Sequence, residues 1–196
     1  QTIAFNPPLP EPQQWAIDNL PVEPATKLVY VFNKGNLWPK NLTYACQPKL
    51  CGRWWTPLHG RQFEEEASLS VICCYVTAKN ASFIDYMDQA QAIERGLWDL
   101  SSLLNTSVDA LKQHLVKAKR ISWAHDSLAL GGYAHVEPGN SNSRNTLMQQ
   151  QGLQKRLFFA GEALAFKSNP QTVDGAFDTG IDVAKEIINV NPISKL

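Results

Sequence analysis

No stretch of this sequence approaches the ~20 consecutive apolar residues that cross a bilayer as a helix, and no signal-peptide pattern opens it. Net charge is lacking too. Eighteen lysines and arginines balance eighteen aspartates and glutamates, which removes the electrostatic reason to expect nucleic acid or an anionic membrane as partner. There is no Cys-x-x-Cys pair and no histidine set beside Cys46, Cys51, Cys73 and Cys74, so four metal ligands cannot be assembled. The cysteines read as buried or free thiols, although Cys46 and Cys51 are spaced to bridge a loop. Neither a G-x-G-x-x-G turn nor an internal repeat occurs. The chain starts at Gln1 rather than at methionine, and Ile3–Pro10 reads as mid-protein sequence. The expectation is a chain cut from a longer precursor or a fragment, the plain alternative being loss of an initiator methionine with a few residues.

What is present describes a globular chain. Its 196 residues are 44% apolar and 18% charged, enough for one domain or two small ones with a real core. Six prolines between Pro7 and Pro24 punctuate the opening around a helical turn or two at Trp15–Leu20. Lys27–Phe32 is a strand ending in the turn Asn33-Lys34-Gly35-Asn36, and Ser68–Val76 is a second strand. Residues 38–66 between them read as irregular and aromatic-rich, with Trp38, Tyr44, Trp54, Trp55 and Phe63. From about 82 to 118 the spacing predicts helices. Ile93, Leu97, Leu100, Leu103 and Leu104 share one face, and Leu111, Leu115 and Ala118 a second helix capped by Ser107. Lys119–Trp123 is strand-like, Gly131-Gly132-Tyr133 a turn, 139–146 a polar loop, Leu157–Ala160 a buried strand, and Gly175 to about Val190 an amphipathic helix. The fold class is therefore mixed α/β. The three sequons at Asn41, Asn80 and Asn105 and the cysteines leave the compartment open.

Chemistry concentrates in the tail. Gly161 and Glu162 follow the predicted strand, and Thr172-Val173-Asp174-Gly175-Ala176 opens a helix eleven residues on. A helix start offers unpaired N–H groups to an anionic or electron-rich ligand, small residues let a flat ring approach the backbone, and a carboxylate after a strand accepts sugar hydroxyls. The plain alternatives are a turn glycine, a solvated glutamate and a helix-packing glycine.

Phe158-Phe159-Ala160-Gly161-Glu162 followed by Thr172–Gly180 resembles the C-terminal signature of the flavin-containing amine oxidase family, which includes monoamine and polyamine oxidases, L-amino-acid oxidases and lysine-specific histone demethylases. Three further segments match in the same order: Phe5-Asn6-Pro7-Pro8-Leu9-Pro10, Lys27 with its strand and Trp38, and Trp123 ahead of Leu130-Gly131-Gly132-Tyr133. The resemblance implies non-covalent FAD, a small-molecule amine or amino acid as substrate, and O2 as oxidant. It implies an opening segment of the FAD-binding domain at 1–23 and a substrate-binding domain at 24–118 with a mixed sheet and helices. Residues 119–196 would be the C-terminal strand–helix part of a Rossmann-like FAD-binding domain. The phosphate-binding glycine loop would then lie in an N-terminal FAD-binding portion on a separate or missing segment.

The resemblance also assigns roles. Lys27 matches the active-site lysine that reaches flavin N5 through a water, and Trp123 an indole near the flavin. Tyr133 is one wall of the aromatic enclosure around the substrate amine. Gly161 and Glu162 contact the linker and ribose of FAD, while Val173 with Thr172 and Ala176 meets the isoalloxazine ring. Thr172 stands where many members have the second aromatic of the substrate enclosure, Gly132 where covalent members have cysteine, and Asp174 where histidine is common. An amino-acid substrate would need a cation such as Lys49, Arg53 or Arg61 for its carboxylate. A non-catalytic binding module and a functionless fragment are the competing readings.

Overall fold

The computed structural model describes residues 3–34, 37–39, 42–57, 69–149, 156–165 and 169–190. Pro12 in the first turn, where its missing N–H is harmless, opens helix α1 (Glu11–Asp18), which leads into the short strand β1 (Val22–Glu23). The middle of the chain follows as β2 (Ala25–Phe32), β3 (Tyr44–Cys46), β4 (Arg53–Trp55), β5 (Ser70–Thr77), α2 (Ala78–Tyr86), α3 (Gln89–Leu104), α4 (Val108–Lys112) and β6 (Leu115–Ser122). Strand β7 (Tyr133–Ala134), α5 (Asn142–Gln149), a 3-10 turn at Glu162–Leu164 and α6 (Val173–Val190) complete it. The chain divides into two units: Gln1–Glu23 with Tyr133–Leu196, and Pro24–Gly132.

The Pro24–Gly132 unit is an antiparallel sheet in the order β3-β4-β5-β2-β6, with helices on one face. Its central strand shows why. Thr26, Leu28, Tyr30 and Phe32 are buried, while Lys27, Val29 and Val31 alternate to the other face and are half-buried. The buried set packs with Trp54, Ile72, Cys74, Ile84, Leu97, Leu100 and Leu111 into one core. Helix α3 comes close to β2 because Gly96 has no side chain: a Cβ there would collide with the Tyr30 hydroxyl, which donates to the Ile93 carbonyl at 3.0 Å. Burial pushes the Tyr30 hydroxyl pKa far above its ordinary value, so it stays a donor. Asp88 and Gln91 form a reciprocal capping box at the start of α3, and left-handed Asn105 ends it.

In the other unit β1 pairs antiparallel with β7, and α1, α5 and the 3-10 turn share a small core of Ala16, Leu147 and Leu164. No helix among the described residues is long and apolar enough to cross a membrane.

Several expectations are corrected. Leu115 and Ala118 lie in a strand rather than a second helix. Helix α4 stops after one turn, capped by Ser107, and the free edge of β2 recruits residues 115–122 as its partner. Because β6 runs unbroken through 118 and 119, residues 119–132 belong with the unit expected to end at 118. Tyr44–Cys46 and Arg53–Trp55 form a hairpin within the stretch read as irregular, and α5 occupies most of the expected polar loop. Phe158 and Phe159 are half-buried and fall outside the strands, with only Leu157 beside them in an isolated bridge. Among the described residues the sheet pairings are all antiparallel where a mixed sheet was expected. All four cysteines are free, Cys46 exposed and the others buried. Phe63 and Arg61 lie outside the described residues.

Candidate functional site

Each unit carries its own share of the expected residues. In the Pro24–Gly132 unit, Lys27 points away from the helices. Its ladder row runs Arg53, Tyr75, Lys27, Ile121 across four strands. The Lys27 Nζ lies 5.8 Å from the centre of the Trp55 ring, and Trp55 meets Tyr75 edge-on at 6.2 Å. The open face therefore presents a lysine against two aromatic rings with Arg53 at its rim, a surface suited to stacking and to holding a polar head group. Trp123 follows the end of β6. Its N–H donates to the Ala25 carbonyl at 3.0 Å, extending the ladder, and its side chain is 40% exposed. Ala25 also fills the space a Cβ on Gly132 would need, so this position offers no room for a thiol.

In the other unit, Tyr133 lies in β7 opposite Glu23. The next residue, Ala134, is held from both sides: its N–H donates to Glu162 Oε1 at 2.8 Å, and its carbonyl accepts from Gln171 Nε2 at 2.9 Å. This ties Tyr133, Glu162 and the segment entering Thr172 into one cluster. Gly161 adopts φ +142°, a conformation glycine tolerates, and nothing lies within 4 Å of where its Cβ would be. The Thr179 hydroxyl accepts from the Gly161 N–H at 3.0 Å and lies 2.9 Å from the Ala176 carbonyl, fastening the Gly161 turn to the first turns of α6.

At the α6 start, the Thr172 hydroxyl donates to the Asn169 carbonyl at 2.6 Å and accepts from the Gly175 N–H at 3.2 Å. Asp174 is exposed and accepts from Asn169 Nδ2 at 2.8 Å. Hydrogen bonds, first from Thr172 and then from Asn169, hold its carboxyl below the usual range. Val173 is 87% exposed and Ala176 half-buried. Gly175 does not leave its backbone open to a ligand. The Asn169 carbonyl and the Ala165 Cβ occupy the space beside it, so its smallness serves helix packing.

One atom tests whether a dinucleotide cofactor fits. Glu162 Oε2 is buried and has no hydrogen-bond partner among the described residues. A carboxylate oxygen left so is costly unless a donor reaches it. A ribose or ribityl hydroxyl is such a donor, and the open space beside Gly161 gives close access to the backbone. The residues present therefore fit the group. A cavity of about 410 Å³ between Phe5–Pro10 and Arg156-Leu157 is lined by none of the expected site residues, so cavity size is a poor guide to this chemistry.

Sequence reasoning missed Trp55, Tyr75 and Thr179. Tyr75 was findable, because it alternates with buried Cys74 and Val76 in a predicted strand. Trp55 was not, since the register of a three-residue strand is set by its hairpin.

The family described as flavin containing amine oxidoreductase matches residues 1–188. A possible lysine-specific histone demethylase 1 from Drosophila melanogaster is 29% identical over 95% of this chain and 21% of its own length. Polyamine oxidase 2 from Arabidopsis thaliana is 28% identical over 94% of this chain and 35% of its own, and L-amino-acid oxidase 4 from Hebeloma cylindrosporum is 30% identical over 51% and 16%. A solved putrescine oxidase, redesigned in its cofactor binding, shares the fold with a TM-score of 0.78 at 17% identity, over 95% of this chain and 40% of that one. The chain thus spans between a fifth and two-fifths of the length of the demethylase, the polyamine oxidase and the solved structure. With its collinear motifs and a match over 188 of 196 residues, the chain belongs to the flavin containing amine oxidoreductases, a family whose cofactor is FAD.

Proposed function

We propose that this chain is the flavin-facing and substrate-facing part of an FAD-dependent amine or L-amino-acid oxidase, acting with an N-terminal FAD-binding portion carried on another segment. Bound FAD would supply a hydride acceptor for oxidation of the substrate C–N bond to an imine open to hydrolysis, with O2 as the terminal oxidant, reduced to hydrogen peroxide. The chain's own residues bind and orient. Glu162 Oε2 accepts a hydroxyl of the cofactor, and Gly161 lets the backbone approach. Thr172, Val173 and Ala176 present the start of α6, whose dipole favours negative charge at the ring beside it. Lys27 holds a water at the reacting face. Trp123 supplies an indole near the flavin, and Tyr133 supplies an aromatic wall that excludes bulk water and steers the amine. Residues 24–132 supply most of the substrate-binding domain, and 1–23 with 133–196 close the FAD-binding domain.

The observation that carries this reading is the buried, partnerless oxygen of Glu162 beside an unobstructed glycine. Thr172 in place of an aromatic is the feature that favours the alternative, an oxidase-like module that binds without turnover. Peroxide formation over a panel of amines and amino acids separates the two. FAD-loaded protein that oxidises no member of the panel supports the module.

A further inference from the structure

The side chain of Asp85, near the end of α2, crosses two strands. Its Oδ1 accepts from the Thr26 hydroxyl at 2.7 Å, and its Oδ2 accepts from the Ser122 hydroxyl at 2.7 Å. Thr26 and Ser122 are register partners on β2 and β6, and Thr26 is fully buried. They are also the residues directly before Lys27 and Trp123. Strand alternation turns Thr26 and Ser122 toward α2 and their successors to the opposite face. Lys27 lies opposite Ile121, so Lys27 and Trp123 are diagonal neighbours there, roughly 7–8 Å apart by standard sheet geometry.

The helix end is itself anchored, because Arg120 Nη1 donates to the Ile84 carbonyl at 3.1 Å and to that of Met87. Ala81 and Ile84 pack the body of α2 into the core. A cavity of about 270 Å³, lined by Pro24, Ser82, Asp85, Tyr86, Ala124 and His125, opens beside the carboxylate. The backbone ladder already pairs β2 with β6. What the carboxylate adds is a fixed orientation at the strand ends where the two proposed flavin-side residues emerge.

We infer that Asp85 is a positioning residue, clamping Thr26 to Ser122 from behind so that Lys27 and Trp123 hold one arrangement on the reactive face. This deepens the oxidase reading and rests on it. The first test needs no flavin: amide hydrogen exchange of the full chain with Asp85→Leu, an apolar near-isostere. Loss of two charge-assisted bonds should speed exchange at Lys27 and Trp123 about tenfold or more, with Val29 and Val31 within about twofold of the parent. Asp85→Asn keeps one acceptor and adds a donor for Ser122, so it should restore protection. If Asp85→Leu does not fold, the Thr26→Val/Ser122→Ala pair removes the same bonds and should give the same pattern.

In FAD-loaded protein, Asp85→Leu should then lower the maximal rate of flavin reduction or reoxidation about tenfold while KM and bound flavin hold, with Asp85→Asn close to the parent. Unchanged exchange at Lys27 and Trp123 overturns the clamp. So do unchanged flavin rates in Asp85→Leu when Lys27→Met is slow. If Lys27→Met is also unaffected, the lysine's assigned role falls, and the positioning claim falls with it.

Discussion

Glu162 divides its work between two oxygens, one fixing Ala134 and the other buried without a partner. Glu162→Gln keeps the first bond but replaces a charged acceptor by a neutral amide. Hydrogen bonds to charged groups contribute about 1.5–3 kcal/mol, so FAD affinity should fall roughly tenfold or more, read by flavin fluorescence titration, with the fold's melting temperature nearly unchanged. Lys27→Met should slow flavin turnover while flavin stays bound; loss of flavin itself would make the lysine structural. Asp174 gives a pH signature. Its carboxyl sits below the ordinary 3.8 in the fold, so the stability from its bonds is complete above that value and fades as pH falls through the lowered one. Asp174→Asn should flatten that acid-side slope for the start of α6, measured by amide exchange between pH 2 and 5 (about the span set by the ordinary carboxylate range).

Among elements, the α3–β2 contact is the tightest constraint. Gly96→Ala drives a methyl into the Tyr30 hydroxyl and the Leu28 side chain, and should destabilise the Pro24–Gly132 unit by about 1–3 kcal/mol in urea denaturation. Gly180→Ala, with nothing within 4 Å of the added carbon, should be neutral or stabilise α6 by up to about 1 kcal/mol. The same contrast separates what was legible in the sequence from what was not. Strand β2 was legible because Lys27–Phe32 is rich in β-branched and aromatic residues and ends in a turn sequence. Helix α3 was legible through its three-four spacing and α6 through its amphipathic run. The hairpin of β3 and β4 was not. Its three-residue strands depend on the Gln47–Gly52 backbone bond and on Asp99 of α3 accepting from the Cys51 N–H, forty-eight residues away. Leu115 and Ala118 fit a helical spacing equally well, and only the vacant edge of β2 decides for a strand. In the tail, Glu162 was legible as a carboxylate after a strand-like run. Gly175 was misread, because only packing shows that Asn169 fills its open side.

At the scale of the whole molecule, a chain spanning a fifth to two-fifths of the demethylase, the polyamine oxidase and the solved structure carries two sets of proposed flavin-side residues, one in each unit. The exposed stripe Val173, Phe177, Ile181 and Ile188 on α6 is a further apolar surface. The most direct test is the visible spectrum of natively purified protein after FAD addition and gel filtration, read with the intact mass of the same fraction. Flavin absorbance travelling with the chain, together with a second co-purifying polypeptide or a larger precursor, is the predicted result. A single-chain fraction that stays colourless after FAD is added would contradict it.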